Sequence, residues 1–189
     1  HRRFLAALPV AVWLDLTHLA DSSLSRQAAN LNSVITSVRG YYGTNVVGRV
    51  VANPGSTRVV HNYEALPGAI TIPATLSLEL GHVISEQQQN IQYRFVSDFP
   101  FANRTPHAMD DFEKNALASL RKNPEQKLVE SSWTLLSDSV RLVAPVIMGA
   151  ACVSCPNSHP ESQKRDWKVG DVRGIQEVAI TQPIAANLF

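Results

Sequence analysis

Apolar side chains recur at helical spacing between residues 14 and 51, at Leu16, Leu19, Ala28, Leu31, Ile35, Val38, Tyr42 and Val46. A period sustained that far predicts one long helix, bent near Gly40 or Gly43. Globular helices mostly run about 8–20 residues, so this one reaches out of the domain it belongs to. Asn53-Pro-Gly-Ser56 stops it. Residues 4–14 are nearly continuously apolar and follow His1-Arg2-Arg3. That run is shorter than the roughly 20 residues of a membrane span, and it lacks the small-residue cleavage pattern of a signal peptide. It reads either as the outer end of a transmembrane helix or as an apolar first helix packed in the core. Residues 184–189 also turn apolar, and two apolar ends suit a domain set between two spans.

The remaining elements are short. Pro73 fits the first turn of a second helix, which runs to Ser85 with Leu76, Leu80 and Val83 inward. A turn at residues 87–90 leads to an alternating strand, Ile91-Gln-Tyr-Arg-Phe-Val96. After a loop, Thr105 caps a third helix with Pro106 at its first position. That helix runs to Lys122 and buries Phe112, Leu117 and Leu120. Asp110, Asp111 and Glu113 give it an acidic first turn, which suits the helix dipole. Residues 128–136 and 139–147 predict a β-hairpin about Ser137-Asp138, and residues 172–181 a last strand. The fold class is α+β: an antiparallel sheet with helices against one face and a long N-terminal helix. A PAS-like sensor fold matches that order. Residues 1–52 form the long helix, the end of a membrane span in one reading, and residues 53–189 the PAS-like domain.

A chain of 189 residues with 44% hydrophobic and 17% charged residues can build one domain with a real core. Its net charge of +1 gives no electrostatic case for nucleic acid. Lys164, Arg165, Lys168 and Arg173 are interleaved with Asp166 and Asp171 and read as a solvated surface. There is no Ser-His-Asp order in a recognisable context, no phosphate-binding glycine loop and no His-Glu-x-x-His, so nothing argues for hydrolytic or transfer chemistry.

The chemistry lies in Cys152-Val-Ser-Cys155, which holds the only two cysteines. Cys-x-x-Cys-His attaches c-type haem, the histidine reaching the iron. Here Pro156 follows the second cysteine, and the nearest histidine is His159. A three-residue turn would return that imidazole to the ring as a substitute ligand; otherwise His159 is a surface residue beside Pro160. Three other uses of the cysteines stay open: a dithiol/disulfide switch, zinc held by Cys152, Cys155, His159 and a fourth ligand, and plain burial. The residues around them, Gly149 to Ala151 and Asn157-Ser158, read as a close-approach loop. His61 in a loop, His82 on a helix and His107 at a helix start read as structural or surface histidines, and Met148 as core.

Several stretches resemble the haem-c-binding, PAS-like sensor domain known from a cyanobacterial c-type haem protein and from the extracytoplasmic inputs of membrane-bound nucleotide cyclases, histidine kinases and chemoreceptors. They are Val38-Arg-Gly-Tyr-Tyr42, Leu66-Pro-Gly-Ala-Ile-Thr-Ile-Pro-Ala-Thr75, Tyr93-Arg-Phe-Val-Ser-Asp-Phe-Pro-Phe101, Asn103-Arg-Thr-Pro-His107 with Asp110-Asp-Phe-Glu113, and the cysteine segment with Asp166-Trp-Lys-Val-Gly-Asp-Val-Arg-Gly174. The resemblance implies covalent haem c on Cys152 and Cys155, and since the family's proximal histidine falls at Pro156, the iron is either five-coordinate or ligated by His159. It implies a periplasmic, membrane-anchored, non-enzymatic input domain that senses redox state or a diatomic gas. Flanking transmembrane helices would be its partners, and its long helix suits a parallel homodimer. The alternatives are a haem-free PAS-like module for a small molecule and a Cys152–Cys155 redox switch.

Overall fold

The computed structural model describes residues 2–53, 55–101, 107–134 and 137–183. Helix α1 spans Arg2–Tyr41, passes into a π-helical segment at Tyr42–Val47, and ends as α2, Gly48–Ala52. Short strands β1 (Val59–Val60) and β2 (Ile70–Thr71) pair in parallel. Then come α3 (Pro73–Gln87), β3 (Ile91–Val96), α4 (Asp111–Lys122), β4 (Leu128–Trp133), β5 (Ser137–Ile147), α5 (Ala150–Ser158) and β6 (Val172–Pro183). The main sheet is antiparallel in the order β3-β6-β5-β4. The α+β class and the long helix are therefore as expected. Ser137 and Asp138, expected in the hairpin turn, already belong to β5, and Asp138 pairs with Trp133.

Helices cover both faces of the sheet rather than one. Val140, Leu142, Val178 and Ile180 face Leu24, Ala28 and Ile35 of α1, with Leu80 and Ile84 of α3 packed against them. The intervening positions Val143 and Ile175 face Ala116, Leu117 and Leu120 of α4. Alternation along β5 and β6 sends successive side chains to opposite faces, so β6 is buried on both. The stripe that α1 buries also differs from expectation. Leu24 and Asn32 are buried, whereas Leu16, Leu19 and Val38 are exposed, as is Val83 on α3. Val12, Trp13 and Leu14 are exposed too, so the apolar N-terminal run is not packed into the core at these positions. No helix among the described residues is long and apolar enough to cross a membrane.

Helix α4 starts at Asp111, with Asp110 rather than Thr105 as its cap; Thr105 and Pro106 lie outside the described residues. The Asp110 side chain accepts from Glu113 N–H at 2.8 Å, and the Glu113 carboxylate accepts from Asp110 N–H at 2.9 Å, a reciprocal capping box. Glu113 and Glu177 are fully buried. Arg141 pairs with Glu177 at 2.9 Å and with Asp110 at 2.7 Å, and Arg94 pairs with Glu177 at 3.1 Å. Paired in this way, the buried acids avoid the penalty of isolated charge. The hydrogen bond from Glu113 N–H, with Arg141 beside it, holds the Asp110 carboxyl below its ordinary value. A lowered folded pKa stabilises fully above the unfolded value of about 3.9 and loses that contribution as pH falls through the folded value. Asp110→Asn keeps a capping acceptor. It is expected to flatten the acid side of the thermal stability profile between neutral pH and about pH 3.

Candidate functional site

The cysteines sit on a helix, not a loop. Gly149 precedes α5 in an extended conformation, and a Cβ there would meet nothing within 4 Å, so no close approach demands glycine. Pro156 lies inside α5 with its ring buried, while Cys152 is exposed and Cys155 half-buried. Both thiols are free. Proline late in a nine-residue helix deletes one donor but is tolerated because only the last turn lacks that bond.

Both ends of α5 are fastened. At its start, Met148 N–H donates to Asp171 O at 2.8 Å, and Gly170 N–H donates to Met148 O at 2.9 Å. Near its end, Asn157 Nδ2 donates to Trp167 O and Trp167 N–H donates to Asn157 Oδ1, each at 2.9 Å. Trp167 is buried, packed edge-on against Phe99 at 5.8 Å, with the Arg173 guanidinium 5.0 Å from its ring. Arg173 also donates to Ser97 Oγ and Phe99 O, both at 2.7 Å. The basic cluster is thus not uniformly a solvated surface, because Arg173 is structural.

Burial pushes the Cys155 thiol up; Cys152 adds to this and Arg173 opposes it. Less thiolate at neutral pH means a weaker nucleophile, which works against a dithiol switch. We expect alkylation at neutral pH to modify exposed Cys152 first and Cys155 more slowly, with the gap closing as pH rises. Equal rates by mass spectrometry would contradict this placement.

His159 is the C-cap of α5, and its Nδ1 accepts from Glu161 N–H at 3.2 Å. Its ring lies edge-on to His61 with centroids 4.8 Å apart and tilted to Phe101 at 5.0 Å. His61 stacks on Phe101 at 6.5 Å. The residues gathered around His159 are thus His61, Phe101 and Glu161. Among the described residues, the one cluster of three metal-type ligands is His61, His159 and Glu161, without either cysteine. The zinc set of Cys152, Cys155 and His159 is not brought together. His61 was missed as a site residue because a histidine in an irregular loop carries no spacing signal; only the fold returns it to α5. His82 pairs with Glu86 at 3.1 Å on the surface, His107 lies 2.9 Å from Glu113, and Met148 is buried, all as read from the sequence.

A family model described as Tll0287-like, Tll0287, matches residues 17–181. The chain belongs to the Tll0287-like family. Among solved structures, this Tll0287-like domain is similar to the crystal structure of the cyanobacterial heme-protein Tll0287. The TM-score is 0.51, with 16% identity, over 82% of this chain and 96% of that one. At that identity the likeness concerns the fold. No curated protein matches the Tll0287-like chain.

Proposed function

We propose that this domain binds haem covalently through Cys152 and Cys155 and serves as the extracytoplasmic input of a membrane signalling protein, itself not an enzyme. The observation that carries the reading is the pair of free thiols three positions apart on α5, in a chain of a family whose solved relative is a heme-protein. The residues fit attachment: positions three apart on a helix share a face, and Cys152 is open to solvent. They do not supply the usual ligand, because the position after Cys155 is filled by a buried pyrrolidine. His159 is the substitute we assign to the iron. Serving it through Nε2 would require moving the ring proton, since Nδ1 now accepts from Glu161 N–H.

Haem bound here would supply redox chemistry and an iron site open to diatomic ligands. The chain's own residues offer a route outward. Met148, at the head of α5, bonds Gly170 and Asp171 just before β6, the strand that carries Gln176 to α1. Arg39 Nη1 donates to Gln176 Oε1 at 2.9 Å, the oxygen that also accepts from Tyr93 Oη at 3.1 Å. Gln176 Nε2 donates to Asn32 Oδ1 at 2.6 Å and Thr36 Oγ1 at 3.1 Å. Burial pushes the Tyr93 phenol up to about 12, with Arg39 opposing, so it stays a donor at physiological pH. Through this buried network a change at α5 would bias α1, the element we assign to contact the membrane part and, in a parallel homodimer, a second copy.

The alternatives have less support. The dithiol switch meets the raised Cys155 thiol. For a small-molecule module, two surface clefts of about 240 and 320 Å³ lie at the small end of ligand pockets, and neither is lined by a cysteine. The deciding experiment is a pyridine haemochrome spectrum on protein exported with cytochrome c maturation machinery, after acid-acetone extraction. A reduced band kept with the protein supports the proposal; its absence ends it.

A further inference from the structure

We propose that His61, His159 and Glu161 form a site for one divalent transition-metal ion of the zinc class, distinct from the cysteine pair. One ligand atom from each residue lies within 4.8 Å of the others. Ligands about 2 Å from a tetrahedral ion stand roughly 3.3 Å apart, so modest side-chain rotation closes the set. Two imidazoles and one carboxylate are the donors Zn²⁺ takes where a fourth position is left for water.

A second observation points to a cation. Glu161 Oε2 is buried and has no hydrogen-bond partner. A carboxylate oxygen removed from water without a donor is costly, and a bound cation removes that cost. The His159 tautomer agrees. Because Nδ1 accepts from Glu161 N–H, its lone pair faces the turn that carries Glu161, and the ring proton sits on Nε2. An ion taking the Nδ1 lone pair replaces one weak hydrogen bond and leaves Nε2–H to donate, the usual state of a metal-bound imidazole. Phe101 backs both rings, stacked on His61 and tilted on His159, and limits their rotation. The rings touch edge-on, with centroids 4.8 Å apart, so in this arrangement no porphyrin plane fits between them.

His61 directly follows β1, and His159 caps α5. The ion would therefore tie the small sheet to the cysteine helix across nearly a hundred residues of sequence. The site stands on its own geometry. Only its competition with haem for His159 rests on the preceding proposal.

The test is equilibrium dialysis of the haem-free chain with Zn²⁺, together with Co²⁺ absorption. Wild type should bind one Zn²⁺ per chain, give the intense visible bands of four-coordinate Co²⁺, and melt at a higher temperature with Zn²⁺ present. His61→Ala and the near-isosteric Glu161→Gln should each weaken Zn²⁺ binding at least about tenfold and lose the melting shift. Cys152→Ser/Cys155→Ser should bind as wild type does. No stoichiometric Zn²⁺, undiminished affinity in Glu161→Gln, or loss in the cysteine variant would each overturn the proposal. The haemochrome of His61→Ala separates the two readings. Haem retention there with Zn²⁺ binding lost supports both, whereas failed haem attachment in wild type leaves the Zn²⁺ result standing alone.

Discussion

Cys152→Ser/Cys155→Ser is expected to abolish acid-stable haem, the largest functional effect a change to this chain should produce. A serine hydroxyl adds no thioether to a vinyl group, so extraction would remove all haem from the double variant. The single variants should each hold haem through one bond, and their reduced haemochrome bands should shift to longer wavelength because one vinyl stays conjugated with the ring. Exposed Cys152 meets the incoming group first, whereas Cys155 is half-buried, so Cys155→Ser should retain more haem than Cys152→Ser. His159→Ala should retain haem but change the spectrum of the native form. Full acid-stable haem in the double variant would remove the cysteines from the account, and an unchanged His159→Ala spectrum would remove His159.

The largest expected effect on stability comes from Gly81→Ala. An added Cβ would stand 1.8 Å from Tyr93 Cδ1 and 2.6 Å from its Cγ and Cε1. The ring cannot swing aside, because Tyr93 is 8% exposed, its hydroxyl donates to Gln176 at 3.1 Å, and its N–H donates to Ser85 Oγ at 3.0 Å. Alanine in a helix interior gains about 1 kcal/mol over glycine. Overpacking costs about 1–3 kcal/mol and occasionally more, and a contact this short belongs at the upper end. The net loss should be about 2 kcal/mol, or roughly 4–8 °C in Tm for a chain of this size. Gly40→Ala is the control: a Cβ there meets nothing within 4 Å, so it should be neutral or slightly stabilising. Equal Tm values for the two variants would show that α3 can lift from β3 without cost.

Local signals were legible wherever they act through neighbours in sequence. Pro73 opened α3, Asn123-Pro124 closed α4, and alternation in residues 91–96 marked β3. What stayed hidden depended on tertiary contacts. The stripe of α1 centred on Leu24, Ala28, Asn32 and Ile35 is chosen by what lies opposite, including the Gln176 amide that makes a buried asparagine favourable. The cover on the second face of the sheet was invisible because Arg173 and Glu177 on that side of β6 read as solvent-facing positions, and only the fold sets Glu177 against Arg94 and Arg141. At the site, the cysteines announced themselves through spacing. Their helix did not, because Pro156 signals a break and its burial is a tertiary event. Glu161 is two residues from His159 in sequence, but His61 is nearly a hundred residues away and reaches it only through the fold, with Phe101 packed against both rings.

The π-helical segment at residues 42–47 bears on how the long helix can be read by any partner. Its turns are wider, so it holds one residue more than an α-helix of the same rise. Side chains before Tyr42 and after Val47 are therefore out of phase by about 100°. Pro73 Cγ stands 3.3 Å from where a Gly43 Cβ would be, and the Tyr42 hydroxyl donates to Thr71 O at 2.8 Å, so the start of α3 fixes where this offset falls. A periodicity counted straight through from residue 14 to residue 51 therefore describes two different azimuths. Removing one residue inside the segment would bring them into line and swing Arg49 and Val51 around the axis, with no change in the composition of either half.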